Sequence, residues 1–225
     1  MRILAILDRL ETALFTLQAA GELARRLGGQ EIRLLHPKRA TDPAFLAPDE
    51  GIPTPARRSA FIRQVALRAE RLHGIARTWI GAATHPAVAQ ARWIEIAGDT
   101  RRVVAQEARN ADLVVVSRPC PKDRDDIGQA LAGALYDAGA LVLIAPLQAY
   151  PTIGQRPVVA WHPSPALGRV LDTARPLLNA AGHVTFVIGA EHDTSEAPPE
   201  LARELIACGI PVTIDRFVAP RDRLG

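Results

Sequence analysis

Apolar and polar positions along this chain follow two periods in alternation. Short apolar runs rich in β-branched residues and bounded by polar ones predict strands at Arg2 to Leu7, Glu31 to Leu35, Arg92 to Ile96, Asp112 to Val116 and Leu141 to Ala145. Between them the spacing turns helical. Helices are predicted over Glu11 to Leu27, closed by Gly28 and Gly29; over 55 to 80; over Thr100 to Arg109 behind Asp99 as N-cap; and over Asp126 to Tyr136 behind Asp125 or Asp126. In the second of these, Phe61, Val65, Leu72, Ile75 and Trp79 follow one another at spacings of 4, 7, 3 and 4 and share one face. Arg63, Glu70 and Arg77 fall opposite, so the segment reads as a docked helix with solvated arginines outside. Strict alternation of strand and helix implies a parallel sheet covered on both faces: a doubly wound open α/β fold, its ligand crevice at the carboxyl ends of the strands.

Near residue 146 the periodicity gives way to "PLQAYPTIGQR", whose turn residues mark a linker over 148–156 behind a complete first domain, 1–147. The pattern then begins again. "RPVVAWHPSPALGRVLDTARPLLNAAGHVTFVIGAE" repeats the strand, polar turn, amphipathic helix, glycine and second strand of the N-terminal segment, so that Asp8 meets His162, Gly28 meets Gly182 and Ile32 meets Phe186. A further helix, Pro199 to Ala207, stops at Gly209 before a strand at Val212 to Val218. The second domain, 157–225, is thus a partial copy without counterparts of strands 4 and 5. Its strand at 157–161 presents an open edge, expected to be covered by the first domain or by a partner, a second copy of the chain or another protein, a dimer being the simplest form.

Composition narrows the function classes. Nearly half of the 225 residues are apolar, enough for a sizeable core, and no apolar run reaches membrane-spanning length. Asp8 and Arg9 interrupt "RILAIL" before it could act as a secretory segment, so the expected setting is the cytoplasm, with no membrane partner. Cys120 and Cys208 form neither a metal spacing nor a disulfide framework. The net charge of +3 rests almost wholly on arginine, and the scattered aromatics offer no stacking platform, so no nucleic-acid partner is expected. The six histidines show no ligand spacing, which predicts no metal. "DRLETA" after the first strand is not a dinucleotide fingerprint, Gly-Lys-Ser/Thr is absent, "IAPLQA" lacks the lysine of a phosphoacceptor domain, and no serine sits in a nucleophile elbow.

The strand "ILAILD" ending in an aspartate, the block "GDTRRVVAQEARNADLVVVSR", the closing "ALVLIAP" and the restart "AWHPSPALGRVLDTARPLL" together resemble the universal stress protein family in its tandem two-domain form. The resemblance covers nearly the whole chain. It implies an open five-stranded parallel sheet of order 3-2-1-4-5, like that of the adenine nucleotide alpha hydrolases. In ATP-binding members it implies a nucleotide held by the aspartate closing strand 1, main-chain groups after strand 2, and a motif Gly-x2-Gly-x9-Gly-Ser/Thr after strand 4. Asp8 matches the aspartate. The glycine motif does not match, for the exit of strand 4 holds Ser117, Pro119, Cys120, Pro121 and Lys122, and Gly128 is the only glycine near the start of the next helix. Each missing glycine removes a close backbone approach to phosphate, and each proline removes an N–H.

The candidate cofactor-binding residues are therefore Asp8, His36, Ser117 and Gly128, for a nucleotide alone. Asp8 reads equally as a carboxylate for ribose hydroxyls or as a cap on the helix begun at "RLET". His36 and His162 are placed at strand ends facing the crevice, hydrogen-bonded or solvated. Cys120 beside Arg118 and Lys122 reads as an inert loop thiol or a redox sensor, and Cys208 as a small buried residue. The expected function is a non-catalytic, stress-related role through protein association or small-ligand sensing, with no cofactor and no catalytic residues. The alternative is an ATP or other adenine-nucleotide switch, slowly hydrolysing, built on Asp8 and main-chain groups near Leu35 to Pro37.

Overall fold

The computed structural model describes residues 1–39, 54–119, 125–148, 150, 152–190 and 198–218. The chain divides into two compact units, Met1–Pro151 and Thr152–Gly225. The first holds strands β1 (Arg2–Ile6), β2 (Glu31–Arg39), β3 (Arg92–Gly98), β4 (Leu113–Ser117) and β5 (Val142–Ala145). They form one parallel sheet of order β3-β2-β1-β4-β5, the expected 3-2-1-4-5. Side-chain alternation in β1 divides the core. Leu4 and Ile6 join Leu35, Val114 and Val116 on the face covered by α4 (Thr100–Ala108) and α5 (Asp125–Ala132), while the alternate residues Ile3 and Ala5 are equally buried on the face of α1 (Leu10–Leu27).

Caps set the helix ends. Gly28 adopts φ 62°, ψ 46° and closes α1, a left-handed conformation that favours glycine, as its position predicts. Asp99 accepts the Arg102 N–H at 2.9 Å and starts α4. Replacing Asp99 with alanine is expected to cost about 1 kcal/mol, read as a lower urea midpoint at unchanged m-value. The long α2 (Pro55–Gly81) buries Val65 and Leu72 with Ala69 and Ala76, and leaves Arg63, Glu70 and Arg77 exposed.

Three local readings change. β2 runs to Arg39, four residues past its predicted end, because His36, Pro37, Lys38 and Arg39 pair with Glu95 to Gly98 of β3, where only one edge needs donors and Pro37 is tolerated. The helix expected to run unbroken to Tyr136 changes at Gly133 into a π turn, Gly133–Asp137, in which the Ala138 N–H bonds the Gly133 carbonyl at 3.0 Å. A side chain at Gly133 would stand 2.4 Å from the Arg101 carbonyl, so the turn packs directly on the backbone of α4. A one-turn helix, α3 (Pro86–Ala89), precedes β3 and carries too few residues to show a period.

The second unit holds β6 (Val158–Trp161), α6 (Pro165–Asn179), β7 (Val184–Ala190), α7 (Glu200–Ala207) and β8 (Val212–Val218), with a parallel sheet of order β6-β7-β8. Both helices lie on one face of this sheet, where Val159 and Phe186 pack with Leu171, Leu178, Leu201 and Leu205; right-handed crossovers in one direction are the general rule that produces this arrangement. On the other face Val158 and Phe217 stay exposed. Gly182 does not close the helix as expected: α6 ends at Asn179 with Ala180 as its C-cap, and the Gly182 N–H bonds the Gln155 carbonyl at 2.9 Å. Cys208, expected to be buried, is exposed just past α7, on the turn's solvent side.

Candidate functional site

The carboxyl ends of β1 and β4 are adjacent in the sheet, and this brings together residues more than a hundred positions apart. Asp8 follows β1 and is 8% exposed; Ser117 ends β4 and is 4% exposed. The Ser117 hydroxyl donates to Asp8 Oδ1 at 3.1 Å. Asp8 does not cap α1. The N-cap is Arg9, whose side chain makes no capping bond and turns across the sheet end instead. There its Nε and Nη2 donate to Ser117 Oγ at 3.2 and 2.7 Å, and Nη2 donates to the Arg118 carbonyl at 2.5 Å. Arg9 Nε stands 3.9 Å from Asp8 Oδ1, and the side chains of both are at least nine-tenths buried.

A second arginine reaches the same corner from α2, where Arg68 donates to the Asp8 main-chain carbonyl. His36 is buried with Nδ1 2.8 Å from the Leu7 carbonyl. A carbonyl only accepts, so the ring donates from Nδ1. The Trp93 ring stacks on two imidazoles, His36 at 5.9 Å and His73 at 4.9 Å between centroids. The Leu35 carbonyl, one of the main-chain groups considered for a nucleotide, accepts the Leu7 N–H at 2.8 Å.

Electrostatics follow from this burial. Desolvation pushes the Asp8 carboxyl up to about 6, against the attraction of Arg9 and the hydrogen bond from Ser117, which favour its charged form. Burial likewise lowers the His36 pKa below the ordinary imidazole value, opposed by the Leu7 carbonyl and assisted by Arg68.

Of the sequence candidates, Asp8 and Ser117 meet directly and His36 is tied to the same strand end through Leu7. Gly128 lies exposed within α5, and among the described residues no atom approaches within 4 Å of where its side chain would stand. His162 is exposed in the second unit. Cys120, Pro121 and Lys122 lie outside the described residues. Arg9 and Arg68 were not read as site residues. Arg68 had a signal: it stands three residues after Val65 and four before Leu72, on the apolar stripe of α2. Arg9 had none, since its partners lie on β4.

No protein-family model matches the chain, and no curated protein is similar to it. Solved structures are. A universal stress protein from Archaeoglobus fulgidus DSM 4304 superposes with a TM-score of 0.63 at 19% identity, over 97% of this chain and 78% of that one. The fold is that of a universal stress protein. A universal stress protein solved in complex with cAMP aligns at 16% identity over 66% of this chain and 98% of its own, with a TM-score of 0.38, too low to bear on this site. Among the described residues no helix is long and apolar enough to cross a membrane.

Proposed function

We propose that this chain is a non-catalytic protein of the universal stress type, acting through association with a second copy or another protein, or through sensing of a small ligand, in the cytoplasm. One observation carries this reading: at the carboxyl end of the sheet, where the fold offers a ligand crevice, the chain places its own Arg9 guanidinium on Ser117 and beside the Asp8 carboxylate that Ser117 also bonds. A buried cation with several hydrogen bonds holds that space against a nucleotide. The strand-4 exit adds Pro119, which has no N–H to offer phosphate.

The opposing reading, an adenine-nucleotide switch, draws on the buried carboxylate and hydroxyl at the same strand ends. A thermal-shift titration separates the two. Millimolar ATP or AMP is expected to leave Tm unchanged, because a ligand well above its dissociation constant must stabilise the fold that binds it. A saturable rise in Tm would replace the closed-crevice reading with the switch. Native mass spectrometry reads the association: a dimer or a stoichiometric protein complex without nucleotide is the expected result.

A further inference from the structure

Apart from the sheet crevice, α4 and the π turn enclose an open groove of about 440 Å³ lined by Asp99, Arg101, Arg102, Gln106, Arg109 and Asp137. We propose that this groove is a binding site for a compact polyanion of the pyrophosphate class, held by Arg102, Gln106 and Arg109. Both carboxylates in the groove are already engaged: Asp137 takes a two-point bond from Arg101 at 2.6 and 2.7 Å, and Asp99 accepts the Arg102 N–H at 2.9 Å as the helix cap. Arg101 holds the Asp137 carboxyl below the usual carboxylate range, so the anion persists there as the arginine's partner.

Arg102 and Arg109 are left over. Among the described residues neither has a carboxylate within ion-pair distance, and Arg109 feels Asp137 only as a longer-range attraction. With Gln106 they occupy positions i, i+4 and i+7 of one helical stripe, which sets the two guanidinium stems roughly 10 Å apart along α4 with an amide donor between them. Guanidinium forks match phosphate oxygens in pairs, and two forks converging from that spacing suit two linked phosphoryl groups better than one small anion. A groove of this volume falls in the range that holds a small ligand. The close approach of Gly133 to the Arg101 backbone keeps α4 and the π turn in fixed register. The donors are therefore held before the ligand arrives, which lowers the ordering cost of binding.

Isothermal titration of the full chain with pyrophosphate and with tripolyphosphate tests this. Saturable one-to-one binding is expected, weakened about tenfold by either Arg102→Ala or Arg109→Ala. Both residues are exposed, and unchanged circular dichroism will show that the variants fold. Arg63→Ala and Arg71→Ala, each exposed on α2 and each removing one charge, serve as charge-matched controls and are expected to leave the affinity as it was. Absence of saturable binding at millimolar pyrophosphate would overturn the proposal. So would an equal loss in the α2 controls, which would mark general attraction to a basic protein, or binding indifferent to both groove arginines. Binding here with no effect of ATP on Arg9 and its neighbours leaves the closed-crevice reading intact, so the two proposals fail separately.

Discussion

Replacing Arg9 with alanine should cost the first unit about 3 to 5 kcal/mol at pH 8, the loss found when one partner of a buried ion pair is removed. The size follows from what the side chain leaves behind. Ser117 Oγ loses two donors and the Arg118 carbonyl loses one, while Asp8, buried 3.9 Å from the guanidinium, loses the cation that most favours its charged form. The loss has a ceiling set by protonation. Once Asp8 takes a proton it no longer needs a counter-charge, so the cost of Arg9→Ala should be smaller at pH 5, below the native value of about 6, than at pH 8. Amide hydrogen exchange along β1 and β4 reads this in the first unit alone. A cost below about 1 kcal/mol at pH 8, within the range of ordinary surface changes, would mean that the guanidinium is not the keystone of the strand ends and would remove the support for a closed crevice. Arg9→Lys keeps the charge without the planar fork, and should recover part of the loss but not all of it.

Asp8→Asn should reverse a pH dependence. In the unfolded chain the carboxyl titrates near 3.8 and in the native protein at about 6, so the native state binds the proton more tightly. The stability this gives is fully present below about pH 4 and is lost as pH rises through about 6; by pH 7 the wild type carries a burden on the order of 3 kcal/mol for keeping a buried carboxylate. Asparagine has nearly the same shape, still accepts from Ser117 through its amide oxygen, and never ionises. Arg9 retains its bonds to Ser117 Oγ and the Arg118 carbonyl in the variant. The stability of Asp8→Asn relative to wild type should therefore rise by about 2 kcal/mol between pH 4 and pH 7, whatever its offset at pH 4. Urea unfolding of both proteins across that interval measures the slope. A variant that loses ground as pH rises would show the opposite: that Arg9 and Arg68 hold Asp8 as a stabilised anion whose pKa lies below the unfolded value.

Much of this molecule is determined by short-range pattern. The β-branched runs at Leu113 to Val116 and Ile3 to Ile6, the glycine stop at Gly28, the cap at Asp99 and the restart after residue 151 are local features, each settled by a few neighbouring residues, and together they specify a doubly wound parallel sheet followed by a smaller β-α-β-α-β unit, the 3-2-1-4-5 order being implied by the family resemblance. Asp8 at the end of strand 1 was legible for the same reason. What lay beyond the sequence are the partners. Arg9 meets Ser117 108 positions away, and Arg68 meets Asp8 across 60, because the adjacency of β1 and β4 and the docking of α2 exist only in the folded sheet. Tertiary contact also overrode local preference. Pro37 continues a strand because β3 needs only its open edge, Gly133 turns a helix into a π turn because α4 approaches its backbone, and Gly128 lies exposed in a helix with no described atom within 4 Å of where a side chain would stand. Periodicity reports which side of an element is apolar; which polar side chain crosses to which strand end is decided by the distances that packing creates.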